Sequence, residues 1–139
     1  MTSYSRTRQS TQTPLDVSKA ESSFNLLRQL RSKPLAKNKV EWYVMFVNEK
    51  YQVFSWYELT QQEQSPNYIK QIAGLAIACN AYGILILNYC DIKLIKANEF
   101  DKRFLESCFN ICEELKIEII DYVICNPQTY LSLREGYKD

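Results

Sequence analysis

The side chains best suited to chemistry lie between Gly83 and Asp101, in the stretch GILILNYCDIKLIKANEFD. A short apolar run ends there in Cys90 and Asp91, and Asp101 follows near the start of a predicted helix. A thiolate and carboxylates beside a buried strand are groups that can bind a metal ion. The sequence contains no histidine, however, so the usual imidazole ligands and bases are absent. The stretch is either an enzyme site without its metal ligands or only a strand and a loop.

The flanking sequence predicts the elements that would position these residues. Ser18 and Glu21 have capping-box spacing and predict the start of a helix. The segments VEWYVMFVN and QVFSWYEL predict a hairpin, and Pro66 opens a second helix. YGILILN is short and apolar, as expected of a central strand, and Asn98 can cap a third helix before IEIIDYVIC and TYLSL, which predict two more strands. This order predicts an α/β fold: a single layered domain with a central mixed β-sheet flanked by helices.

The chemistry-bearing stretch falls where open sheets of this kind place their sites. Ligands bind beyond the carboxyl ends of the strands, and Cys90 and Asp91 follow the carboxyl end of the predicted central strand. The position of the strand end therefore indicates where a site would lie, and not which chemistry it would perform.

Composition narrows the classes of function. Residues 1–16 are mostly Ser, Thr, Gln and Arg and predict a flexible N-terminal tail, followed by one domain over 17–139. The net charge of +1 provides no overall field for nucleic acid or anionic membrane. Neither a membrane-spanning run nor the apolar core of a signal peptide is apparent, so we expect a cytoplasmic protein. The 5 cysteines are odd in number and lack CxxC spacing, which argues against a disulfide framework or a zinc ribbon.

Three stretches resemble the RadC-like branch of the JAB/MPN metalloprotease-fold family. LKIEIIDYVICNPQTYLSLRE is similar to the family ending, EWYVMFVNEKYQVF to its first hairpin, and AYGILILNYC to the strand that runs into His-Asn-His-Pro-Ser-Gly. The resemblance covers residues 20–136 and implies a JAB/MPN (cytidine-deaminase-like) architecture. It also implies a zinc ion held by two His and one Asp, a Glu as general base and a Ser that helps to hold the oxyanion.

The resemblance assigns each of these roles to a position in this sequence. Glu41 falls at the general base, Leu87 and Tyr89 at the two His, Asp101 at the ligand Asp and Asn98 at the oxyanion Ser. Leucine has no lone pair, and the phenol of tyrosine is a poor zinc ligand at neutral pH. We therefore expect no zinc or other cofactor and no catalytic or metal-ligating residue. The resemblance then implies a catalytically inactive domain that serves as a binding or structural module.

An alternative is a metal-dependent hydrolase with a rebuilt site. Cys90, Asp91, Asp101 and Glu41 could supply one thiolate and three carboxylates. Adjacent residues of a strand point to opposite faces, so Cys90 and Asp91 could converge only if the chain has left the strand.

Interaction is the remaining class of function. RadC relatives carry a DNA-repair label and often travel with mobile elements, so an accessory protein with weak DNA contact is a further alternative. Its candidate basic patch is Arg31–Lys39 together with the N-terminal Arg6 and Arg8. MPN-fold domains commonly pair with a second copy or an active relative, so we expect a protein partner or self-association and no membrane contact. The aromatic residues of the hairpin are candidates for the interface: Trp42, Tyr43, Trp56 and Tyr57.

Overall fold

The chain folds around a six-stranded mixed sheet with helices on both faces. The computed structural model describes residues 4–9, 16–31, 40–59, 66–93 and 95–135, without side chains for 4–9 and 66–68. In chain order the described elements are β1 (Tyr4–Gln9), α1 (Ala20–Leu30), β2 (Val40–Val47), β3 (Val53–Leu59), α2 (Pro66–Ala78), β4 (Gly83–Cys90), α3 (Glu99–Glu114), β5 (Glu118–Cys125) and β6 (Tyr130–Ser132). The predicted α/β fold class is confirmed, and no helix among these residues is long and apolar enough to cross a membrane.

The sheet has the strand order β1-β3-β2-β4-β5-β6. β4 and β5 are parallel, and every other neighbouring pair is antiparallel. Because α3 connects the two parallel strands, the carboxyl end of β4 and the start of α3 lie on the same side of the molecule. The stretch that carries the candidate chemistry is therefore at this end of the sheet.

The sheet separates two hydrophobic clusters. The residues of α1, with Leu85, Leu87 and Tyr89 of β4, form one cluster. The residues of α2 and α3 pack with Ile84 and Ile86 on the opposite face. Side chains alternate along a strand, so residues that are adjacent in sequence belong to different clusters. We call the two sides the α1 face and the α3 face.

The first strand lies within the segment that the sequence predicts as a flexible tail. Residues 4–9 form β1, which pairs with β3, whereas residues 1–3 and 10–15 lie outside the described residues. Backbone groups at a sheet edge accept a further strand whatever its side chains, so the polar composition that predicted a tail is also compatible with an edge strand.

Arg134 and Glu135 contact the start of α1, where the sequence predicts a capping box. The cap residue is Lys19, which makes no side-chain capping bond. The carboxylate of Glu135 instead accepts a hydrogen bond from the Ala20 backbone N–H at 3.0 Å. Arg134 donates to the Ser18 carbonyl. Contacts between residues more than 100 positions apart thus replace the predicted local cap, because a carboxylate satisfies the free N–H groups of a helix start from any direction.

Three of the four aromatic residues predicted as an interface lie in the core. Trp42, Tyr43 and Trp56 are buried, and Tyr57 is half-buried against Phe46. Trp42 packs between α3 and β5, while Tyr43 and Trp56 contact each other on the α1 face. Helices on both faces of the sheet cover these side chains, so the hairpin's aromatic residues form core instead of an exposed patch.

Candidate functional site

The carboxyl end of β4 lies beside the start of β2. The register of the two strands shows on which face of the sheet each candidate residue lies. Glu41 is directly opposite Tyr89, and Trp42 is directly opposite Asn88. Directly opposite residues share a face of the sheet. Glu41 and Tyr89 are therefore on the α1 face, and Trp42 and Asn88 are on the α3 face.

On the α1 face, a salt bridge occupies both carboxylate oxygens of Glu41. Arg31, which follows α1, donates from Nε to Oε1 at 2.8 Å and from Nη2 to Oε2 at 3.0 Å. The Tyr43 hydroxyl also donates to Oε1, at 2.6 Å. The Arg31 and Glu41 side chains are only 8% and 12% exposed, so little water screens the pair. A bidentate pair with low exposure is the strong form of the interaction.

The same guanidinium covers the position of Tyr89. The Arg31 Cζ atom lies 4.1 Å from the centre of the Tyr89 ring, and Tyr89 is buried. Leu87 is fully buried in the cluster beneath. The cation is therefore placed against Glu41 and over one of the two positions that the resemblance assigns to histidine.

The pKa shifts on this face follow from burial and pairing. Burial and then the hydrogen bond to Glu41 raise the pKa of Tyr43. Burial lowers the pKa of Arg31, but the hydrogen bonds with Glu41 and Tyr43 more than offset it, so the net change is upward. Arg31 is thus a permanent cation and Tyr43 a permanent donor near neutral pH. Glu41 is held by three hydrogen bonds and is poorly placed to abstract a proton.

On the α3 face, Asp101 is buried and acts within a capping box. Its backbone N–H donates to Asn98 Oδ1 at 2.8 Å, and its carboxylate accepts from the Asn98 backbone N–H at 3.0 Å. The other carboxylate oxygen accepts from the Tyr122 hydroxyl at 2.8 Å. Burial and then the Asp101 charge raise the pKa of Tyr122. Asn98 therefore caps α3 as the sequence predicted, and Asp101 is a first-turn residue whose carboxylate accepts from the Asn98 backbone and from the Tyr122 hydroxyl.

The rebuilt metal site is not assembled in this structure. Glu41 lies on the α1 face, whereas Asp101 bonds to Tyr122 on the α3 face. Cys90 is buried, and its thiol contacts the Cys125 carbonyl at 3.6 Å. Burial, the largest effect, raises the pKa of Cys90, which keeps the thiol protonated and weakens it as a ligand. In the part of the chain that the structure describes, no three Cys, Asp or Glu side chains are grouped to hold a metal ion.

The donor set also does not fit the zinc implied by the resemblance. Leu87 supplies no donor atom, and Tyr89 lies under a cation. Both oxygens of Glu41 are used, and Asp101 is on the other face. A catalytic zinc needs three protein ligands around one open position, and these four residues do not provide them as they are arranged here.

Arg31 and Tyr122 are the residues whose roles sequence reasoning missed. Arg31 was grouped with the basic patch Arg31–Lys39, but it is paired with Glu41, and residues 32–39 lie outside the described residues. Glu41 and Tyr43 are two positions apart on β2 and therefore share a face of the sheet, so the sequence could have indicated their contact. The partnership of Tyr122 with Asp101 carries no local signal, because the two residues are 21 positions apart.

Comparison with known proteins gives one family match. The sequence model of the RadC-like JAB domain matches residues 17–138, which is most of the chain. No curated protein matches it. The family match agrees with the mixed sheet flanked by helices and with the three stretches that first indicated the resemblance. The chain therefore belongs to the RadC-like JAB domain family.

Proposed function

We propose that this RadC-like JAB domain is catalytically inactive and serves as a binding or structural module. The observation that supports this most strongly is the position of Arg31. Its guanidinium makes a bidentate pair with Glu41 and covers the ring of Tyr89. The side chain at the general-base position is thus a partner in a salt bridge, and a residue without imidazole stands at the histidine position beside it.

Electrostatics supports the loss of the metal. A guanidinium at 2.8 Å neutralises the Glu41 carboxylate directly. A divalent cation placed nearby would be repelled by Arg31 and would find no nitrogen ligand at Leu87 or Tyr89. Without a bound metal, water keeps its ordinary high pKa and Glu41 has no activated nucleophile to deprotonate.

The architecture supports a retained scaffold. Both faces of the sheet carry an apolar cluster of buried side chains. Such a core is stabilised by apolar burial, so the fold has no need of zinc. With a net charge of +1, a protein partner suits the module better than nucleic acid does.

The test compares the untagged wild type with Glu41→Gln. Thermal unfolding is recorded with added zinc and with a chelator, and hydrolysis of a panel of peptide and isopeptide substrates is followed on the same samples. We expect zinc and chelator to change the melting temperature by less than about 1 °C. Hydrolysis should equal the buffer rate in both proteins.

Two results together would overturn the proposal. The first is stabilisation by zinc, which amounts to about 2.7 kcal/mol when zinc is at a hundred times its Kd. The second is zinc-dependent hydrolysis by the wild type that Glu41→Gln abolishes at a temperature where both proteins are folded. That pair of results would assign Glu41 the role of a working general base.

A further inference from the structure

Among the residues that the structure describes on the α3 face, two buried polar atoms have no hydrogen-bond partner. They are Nε1 of Trp42, a donor, and Oδ1 of Asn88, an acceptor. Trp42 is 3% exposed, and the two residues are directly opposite each other on β2 and β4. Leaving either atom buried and unsatisfied is costly, and native proteins rarely do so. An unpaired donor and an unpaired acceptor on facing residues are complementary.

The neighbouring hydrogen bonds fix the direction in which these atoms point. Asp101 accepts from the Tyr122 hydroxyl, so the Tyr122 oxygen is left free to accept. A side-chain hydrogen bond with Asn88 acts against the upward shift that burial and Asp101 impose on the pKa of Tyr122. Because Asn88 Oδ1 has no partner, the amide nitrogen makes this bond, and the oxygen is left unsatisfied on the residue that faces Trp42.

We propose that one buried water molecule binds between Trp42 Nε1 and Asn88 Oδ1. The water accepts from the indole N–H and donates to the amide oxygen. It completes a chain that runs from Trp42 through water, Asn88 and Tyr122 to the carboxylate of Asp101. Every donor in this chain points towards the negative charge, so the bonds polarise one another in the same sense.

Water is the ligand whose chemistry this site matches. The two protein atoms require one group that both accepts and donates, and a water molecule does both. A cation would be repelled by the indole N–H, and an anion by the Asn88 oxygen. The aromatic rings of Phe104 and Tyr122 already pack against Trp42. This inference does not depend on the proposed loss of activity.

The first test is a crystal structure of the unmodified chain at a resolution that orders interior water. We expect density for one water within about 3.2 Å of both Trp42 Nε1 and Asn88 Oδ1. A direct bond between the two atoms, or a site without density, would overturn the proposal.

A double-mutant cycle tests the same link in solution. Trp42→Phe and Asn88→Leu each remove one partner of the water, so their effects on the unfolding equilibrium should not multiply. We expect a coupling of about fivefold, the size of one net hydrogen bond. Trp56→Phe is the matched control, since Trp56 belongs to the α1 face, and it should combine with Asn88→Leu without coupling. Equal coupling of both tryptophans to Asn88 would contradict the proposal.

Discussion

A largely buried carboxylate lies on each face of the sheet, and the two are stabilised in different ways. On the α1 face, Glu41 is neutralised by a cation at 2.8 Å. On the α3 face, Asp101 has no cation among its hydrogen-bond partners and is held by a hydroxyl and by the backbone at the start of α3. The first arrangement is an ion pair, and the second is a set of dipoles directed at one charge.

This difference indicates how the end of β4 is organised. Glu41 and Trp42 are adjacent in sequence, as are Asn88 and Tyr89, yet each pair is divided between the two faces. The positions that the resemblance gathers around one zinc thus belong here to two independent polar clusters. Each cluster can therefore be mutated separately. The resulting loss in the free energy of unfolding measures how strongly the partners of its carboxylate stabilise the fold.

Arg31→Met should have the largest effect, because it leaves the largely buried Glu41 carboxylate without its cation. We expect a loss of about 3 kcal/mol in the free energy of unfolding, measured by urea denaturation. Adding Glu41→Met should recover much of this loss, since removing both charges leaves none unpaired. The matched control is Arg28→Met in the last turn of α1, whose exposed guanidinium lies over Phe24 and should cost less than about 1 kcal/mol. Equal losses at Arg28 and Arg31 would mean that the pair does not hold Glu41.

Asp101→Ala should have an intermediate effect. The substitution removes the acceptor for Tyr122 and half of the capping box, and we expect a loss of about 2 kcal/mol by the same denaturation measurement. Tyr122→Phe removes one of these bonds and should cost about 1 kcal/mol. A loss at Asp101 no larger than that at Tyr122 would show that the capping box contributes nothing.

Substitution of Asp121, a third carboxylate, should have the smallest effect on the free energy of unfolding. Asp121 is buried and accepts hydrogen bonds from Ser132 and from the backbone of Tyr122 and Arg134. Burial dominates and raises its pKa despite these donors. Its contribution to stability is therefore complete below the unfolded pKa of about 3.9 and declines as pH rises through the folded value.

The measurement for Asp121 is a pair of stability curves against pH. The free energy of unfolding of the wild type, minus that of Asp121→Asn, should decrease from acidic pH to pH 7. Taking the difference cancels the titration of carboxylates that both proteins share. A difference that increases with pH would mean that the three donors outweigh burial.

Sequence reasoning was most successful where short-range pattern determines structure. The order of helices and strands from residue 20 onward, the cap at Asn98 and the placement of Asp101 in the first turn of α3 are confirmed. The resemblance also gave the correct family over most of the chain. Apolar runs and capping residues act within a few positions, so their signals are visible in the sequence.

The features that the sequence did not predict all depend on contacts between elements that are distant along the chain. Pairing of β1 with β3 depends on an available edge and not on its own residues. The face on which Asp101 lies depends on how α3 docks against the sheet, which the local sequence does not determine. The reach of Arg31 to Glu41 depends on where α1 ends above β2. Each is set by tertiary packing, which overrides local preference.

The most direct test of the central claim is the metal content of purified, untagged protein, measured by elemental mass spectrometry. The wild type is compared with a double variant, Cys90→Ala with Asp101→Ala. We predict less than about a tenth of an equivalent of zinc, iron or manganese in both proteins, because no ligand set is assembled around either carboxylate. Close to one equivalent in the wild type, lost in the variant, would contradict the account and show that a metal site has been rebuilt at the end of β4.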